Sequence, residues 1–324
     1  MILSSKWSRD TPSHRFMSSV DRSDSEALID EYVEELIMMD PIVSTDNSKV
    51  KLLKSLQLKK NRDKAGLILL ENHRHIIDAL QNGNKMKHVL LSEKAIYAPL
   101  GAQLVDRLMT HHKEQDFSID MTNDAIISKI SEDVVTPQGV VAAFERPIPQ
   151  QSDPLSKNPL IVVLDNISDP GNMGTIVRTS YGLGVDSVVM IGGCDPWSSK
   201  VVRSAMGMGL NLPIVEQNWK TLLSNENEEK SMMNKMGISF SREEGDKPEV
   251  FIADGDESAI PYFEADFTKP CVLIIGSEAN GVSEQALKME NAKKIYIPAT
   301  RKLESFNAAM ASAILLGEAS RQRR

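Results

Sequence analysis

Histidine is missing from the whole second half of this 324-residue chain: all 6 occur at or before His112. A Ser-His-Asp triad, a histidine-ligated metal and an imidazole base are therefore not expected in that half. Cysteine is scarce too. Cys194 and Cys271 stand far apart in apolar surroundings, which reads as two buried thiols, and no metal-ligand spacing exists. No apolar run reaches the roughly 18–20 residues of a membrane span. An excess of positive charge is also lacking. With 37 Lys and Arg against 45 Asp and Glu the formal charge is -8, so any nucleic-acid contact must come from local patches such as 51–62 and the 321–324 tail. No Gly-Lys-Ser/Thr phosphate loop is present. Gly207-Met208-Gly209 follows a helical stretch and not a strand, so a dinucleotide fingerprint is not met.

What is present describes a folded chain. A hydrophobic content of 41% with 25% charged residues can bury a sizeable core, and the length suggests two domains. Lys6, Arg9 and Arg15 against the single acid Asp10, among many serines, fit an organellar transit segment better than a secretory signal. That reading implies a mitochondrion or plastid; the alternative is a plain tail. Residues 23–39 follow as an acidic amphipathic helix, solvated or docking, so 1–50 forms a leader. From Lys51 a basic helix runs into the cluster Lys59, Lys60, Arg62 and Lys64, which is either a solvated face or an RNA grip. Strands at 67–70, 88–91 and 117–119 alternate with helices at 72–80 and 102–109. An apolar strand after Pro137-Gln138-Gly139 completes a small α/β domain over 51–146. The proline-rich stretch 147–159 reads as a linker.

Beyond it, 160–324 reads as strand–loop–helix units. Continuous apolar strands at 160–164, 187–191, 250–253 and 272–275 are of the buried, parallel kind. A loop at 165–173 precedes a helix at 174–183, and 224–249 is a polar excursion. In an open parallel sheet ligands gather beyond the carboxyl ends of the strands. The polar loops after Leu164, Ala253, Ile275 and Ile297 all belong to that edge. Pro298 closes the strand 295–297, and the segment leading to a helix rich in Ala308, Ala309, Ala311 and Ala313 carries Ser305 and Asn307 where free N–H groups point outward. Asn172, Arg178, Glu278, Ser305 and Asn307 are the polar candidates gathered at this rim.

Asn172-Met173-Gly174 with Arg178-Thr179, then 275–281 (IGSEANG), then Ile297-Pro298 with Ser305-Phe306-Asn307-Ala308-Ala309, resemble the three ordered signature motifs of the SpoU (TrmH-like) RNA ribose 2′-O-methyltransferases. Residues 62–144 resemble that family's substrate-binding domain, similar to ribosomal protein L30e. The resemblance implies an α/β fold with a C-terminal α/β trefoil-knot (SPOUT) domain preceded by a small L30e-like α/β domain. A knot is a rare exception to un-knotted topology. It further implies S-adenosylmethionine as methyl donor, with Gly276, Ile297 and Phe306 lining the adenosine site. It implies a homodimer, no metal, and structured RNA as substrate, ribosomal with guanosine favoured. Transfer RNA, or a catalytically silent assembly factor, is the alternative. In the family's terms Arg178 stands at the 2′-hydroxyl, Asn172 and Glu278 orient it, and Ser305 and Asn307 place the ribose and the methionine end. A guanidinium is effectively always protonated, so Arg178 is better suited to steadying an alkoxide than to taking a proton. Lys59, Lys60 and Arg62 are the expected RNA contacts. The chain departs from the family's usual glycine at Ala279 and Asn72, and from its leucine at Phe306.

Overall fold

The computed structural model describes residues 24–131, 133–148, 156–223, 248–255, 259–277, 280–289, 292–301, 303 and 305–324. The strands are β1 Leu67–Leu70, β2 Met86–Leu91, β3 Ser118–Met121, β4 Val140–Glu145, β5 Leu160–Asp165, β6 Ser187–Ile191, β7 Ile214–Gln217, β8 Glu249–Ala253, β9 Ile260–Pro261, β10 Cys271–Gly276 and β11 Ala292–Tyr296. The helices are α1 Asp24–Met38, α2 Ser48–Ser55, α3 Lys59–Ala65, α4 His73–Gln81, α5 Glu93–Ile96, α6 Gly101–His112, α7 Asp124–Ile130, α8 Pro170–Gly182, α9 Ser199–Ser204, α10 Trp219–Leu223, α11 Glu284–Leu287 and α12 Ala308–Gln322.

Two sheets result. The first, ordered β1-β4-β2-β3, is mixed, with β4 antiparallel to both its neighbours and β2 parallel to β3. The second, ordered β7-β6-β5-β10-β8-β11-β9, is parallel throughout. Its central strands are apolar on both faces, as helix-covered parallel strands must be. Along β5, Leu160, Val162 and Leu164 enter one core cluster while Ile161 and Val163 enter the other. Both cysteines are free thiols; Cys271 is buried and Cys194 half-buried. Among the described residues no helix is long and apolar enough to cross a membrane.

Several elements differ from the expectation. The basic helix is two helices, broken at 56–58, where Leu56 turns inward. Short α5 and α7 were not anticipated; α7 is capped by Asn123, whose side chain accepts from the Ile126 amide. Helix α8 starts at Pro170 and not at Gly174, because Asp169 caps it through the Asn172 amide and Pro170 suits the first helical turn. Helix α1 is a docking element: Tyr32 and Leu36 are buried, and Ile42 bridges to Thr122 at the edge of the first sheet. Most of the excursion at 224–249 lies outside the described residues.

The two sheets share a continuous apolar cluster reaching from Tyr32 to Ala319, and a polar seam runs beside it. Arg62, only 3% exposed, donates to the Leu56 and Gln57 carbonyls at 2.6 and 2.8 Å and pairs with Asp195. Arg203 reaches Glu71 at 2.9 Å, Ser199 donates to Gln57 at 2.7 Å, and Asn84 donates to Asn211 at 2.8 Å. This corrects the RNA-grip expectation for Arg62. Its guanidinium is enclosed by its own chain, and a phosphate cannot reach it. Lys59 pairs with Glu216 at 2.5 Å across the same seam, whereas Lys60 is exposed. Removing one member of a buried pair strands the other. Arg62→Met is thus expected to lower unfolding stability by about 3 kcal/mol, measured by urea titration, whereas Lys60→Met leaves the midpoint almost unmoved.

Candidate active site

Because every strand of the second sheet is parallel, the loops after β8, β10 and β11 emerge at one edge. There they enclose a cleft of about 1020 Å³. Its lining includes Gly276, Ile297, Ser305 and Phe306, all four singled out in the sequence, together with Asp254 and Tyr296, which were not. The signal for those two was their place just after or at the end of a rim strand. The loop after β5 is absent from the lining, and the last residue of β5 instead anchors the segment that follows β10. Asp165, fully buried, accepts from the Trp219 indole at 3.3 Å, the Asn166 amide group at 3.0 Å and the Ser283 backbone N–H at 2.6 Å. One carboxylate thus ties β5 to the segment that follows β10. Buried charge is tolerable only when hydrogen-bonded in this way.

Gly276 sits where backbones nearly touch. A Cβ there would lie 2.1 Å from the Gly281 carbonyl carbon and 2.3 Å from the Val282 nitrogen. Ser277 and Gly281 exchange backbone hydrogen bonds at 3.0 and 2.9 Å, pinching the loop into a closed ring. Glu278 and Ala279 lie outside the described residues.

Asn307 is the N-cap of α12, accepting from the Ala309 and Met310 amides at 3.0 and 3.2 Å, and its Nδ2 donates to Asn172 Oδ1 at 3.1 Å. The starts of α8 and α12 therefore meet, and two of the expected residues are brought into direct contact. Ser305 is exposed in the cleft. Arg178 lies on the exposed side of α8 and does not line this cleft; among the described residues it makes no hydrogen bond or ion pair. Gly174 lets α9 approach α8: a Cβ there would meet the Ser204 Cβ at 2.4 Å.

The second half holds no histidine, but one from the first half reaches toward it. His75 of α4, buried in the seam, lies within electrostatic reach of Arg178 and Arg203. Burial lowers its pKa below the ordinary 6.5; nearby Asp78 opposes this, and Arg178 and Arg203 add to it. Among the described residues its Nδ1 is buried without a partner. Linear sequence could not reveal this approach, since 103 residues separate His75 from Arg178 (178 − 75). The unfolded chain binds this proton more readily than the folded one. Stability from His75 is therefore complete above about pH 6.5 and is lost as pH falls toward the depressed folded value. The melting temperature should fall between pH 7.5 and 5.5, and the fall should shrink in His75→Gln; an unchanged fall would remove His75 from the account.

A parallel α/β sheet with a loop-walled cleft at its carboxyl edge, preceded by a small mixed-sheet unit, defines the class. Residues 159–317 match the model of the SpoU rRNA Methylase family, and 47–142 match the MRM3-like substrate binding domain. The mitochondrial rRNA methyltransferase 3 of Xenopus tropicalis is 30% identical over 322 residues, with 86% of this chain and 75% of that protein covered. The Bacillus subtilis 23S rRNA (guanosine(2553)-2′-O)-methyltransferase is 29% identical, covering 86% and 98%. Among solved structures, the AdoMet-bound rRNA methyltransferase of Sinorhizobium meliloti superposes with a TM-score of 0.68 at 27% identity, covering 87% and 98%. The chain belongs to the SpoU rRNA methylase family.

Proposed function

We propose that this chain transfers the methyl group of S-adenosylmethionine to a ribose 2′-hydroxyl of ribosomal RNA. The observation that carries the reading is the cleft itself: Gly276, Ile297, Ser305 and Phe306 come together from loops separated in sequence, beside the Asn172–Asn307 contact. The apolar wall of Ile275, Ile297 and Phe306 suits an adenosyl group. The sulfonium donor is already activated, so what the protein adds is alignment and charge. Arg178 would hold a phosphate and steady the ionising sugar oxygen, with Asn172, Glu278, Ser305 and Asn307 setting the geometry around it. Arg178 stands outside the cleft of its own chain, which supports a homodimer whose site is completed at a twofold interface.

In this reading the two sheets divide the labour. Residues 51–146 bind substrate, 147–159 link, and 160–324 form the methyltransferase in a deep trefoil knot. The insertion of β11 between β8 and the edge strand β9 supports that knot. The mitochondrial relatives support a mitochondrial site of action. The donor needs no metal, and none enters the chemistry. The test is transfer of labelled methyl from S-adenosylmethionine to mitochondrial ribosomal RNA, with the modified nucleotide mapped by primer extension. Label on a single ribosomal guanosine is expected. Label on transfer RNA alone, or RNA binding without label, overturns the reading.

A further inference from the structure

We propose that Arg301 grips the RNA backbone at the mouth of the cleft, an inference that rests on the methyl-transfer reading. Among the described residues, two of those lining the cleft carry a formal charge, Asp254 and Arg301. Asp254 is neutralised by Lys294 at 2.7 Å. Arg301 is exposed, and among the described residues it has no ion pair or hydrogen bond. Among the described residues it is thus a guanidinium without a partner, lining the cleft.

Charge decides which ligand it suits. S-adenosylmethionine carries a sulfonium and an ammonium against one carboxylate, so its net charge is positive and a cation beside it is repelled. RNA presents a phosphate at every nucleotide, and a guanidinium grips phosphate through paired hydrogen bonds. Such a cation would add to exposed Lys60 and Arg178, because much of the chain works against RNA. With a formal charge of -8 it repels RNA at a distance, Arg62 is enclosed in the seam, and Lys59 is paired with Glu216. Position agrees as well. Arg301 lies on the loop between β11 and α12 that carries Ser305 and ends at Asn307, whose side chain bonds Asn172 on the helix of Arg178. A phosphate on Arg301 would hold the neighbouring sugar between that loop and α8.

The test compares the full chain with Arg301→Gln and Arg301→Lys. A fluorescent ribosomal RNA transcript is titrated over a series of sodium chloride concentrations, and S-adenosylmethionine uptake is measured separately by calorimetry. Arg301→Gln should weaken RNA binding by about tenfold, as loss of a charged hydrogen bond does, and reduce the salt slope by about one. Donor affinity should hold. Arg301→Lys should keep the slope and recover part of the affinity. RNA binding unchanged in Arg301→Gln overturns the proposal. So does a fall in donor affinity instead, which would assign the guanidinium to the methionine carboxylate, or no RNA binding by the unaltered chain. Arg301-dependent RNA binding without methyl transfer by the unaltered chain would retain the contact and discard the methyl-transfer reading.

Discussion

Arg178→Ala should lower methyl transfer by about two to three orders of magnitude, with S-adenosylmethionine affinity nearly unaltered. The two halves of that expectation have separate grounds. Arg178 is exposed on α8, uncommitted among the described residues and outside the donor cleft, so its loss leaves the cleft walls intact. The rate falls because a fixed positive charge at a developing alkoxide acts on the transition state and hardly on the ground state. Arg178→Lys keeps the charge and loses the fork, so it should recover only part of the rate. Initial rates with ribosomal RNA, together with calorimetric titration of the donor, decide the matter. A rate within a few-fold of the unaltered chain would leave Arg178 with no role in the chemistry.

Gly276→Ala should abolish donor uptake by a different route. The added methyl would stand 2.1 and 2.2 Å from the carbonyl carbon and oxygen of Gly281 and 2.3 Å from the Val282 nitrogen, all of them main chain. Flexible side chains could yield; these cannot without opening the 277–281 ring. Overpacking of this kind costs about 1–3 kcal/mol, and the displaced ring would move a wall of the cleft. The expected result is a lowered melting temperature and no calorimetric heat with S-adenosylmethionine. Gly182→Ala is the control, since a Cβ there meets nothing within 4 Å. Full donor affinity in Gly276→Ala would show that the ring does not border the ligand.

Much of the second sheet was legible because burial on two faces writes itself as unbroken apolar runs. β5, β6 and β10 were read nearly to their ends for that reason. The rim was legible too, since parallel strands put all their carboxyl ends together. Helix α8 was started late because Asp169-Pro170-Gly171 reads equally as a turn, and only the Asn172 amide on Asp169 settles it as a cap. Arg62 shows the deeper limit. A basic cluster looks the same in sequence whether it faces solvent or a second sheet, and its burial depends on Asp195, 133 residues further on. His75 beside Arg178 was hidden for the same reason. Of the four described polar site candidates, Ser305 lines the cleft, Asn172 and Asn307 touch each other, and Arg178 stands outside the cleft. Glu278 lies outside the described residues.

The bond between Asn307 and Asn172 spans 135 positions. During synthesis, therefore, the contact between the starts of α8 and α12 cannot form before residue 307 has left the ribosome. Such distant pairing is slow to assemble. A nascent or prematurely terminated chain that stops before Ile297 carries the first two motifs but lacks the wall of the cleft that Ile297, Ser305, Phe306 and Leu315 supply. Competence to hold a small ligand is then expected to arrive late in synthesis.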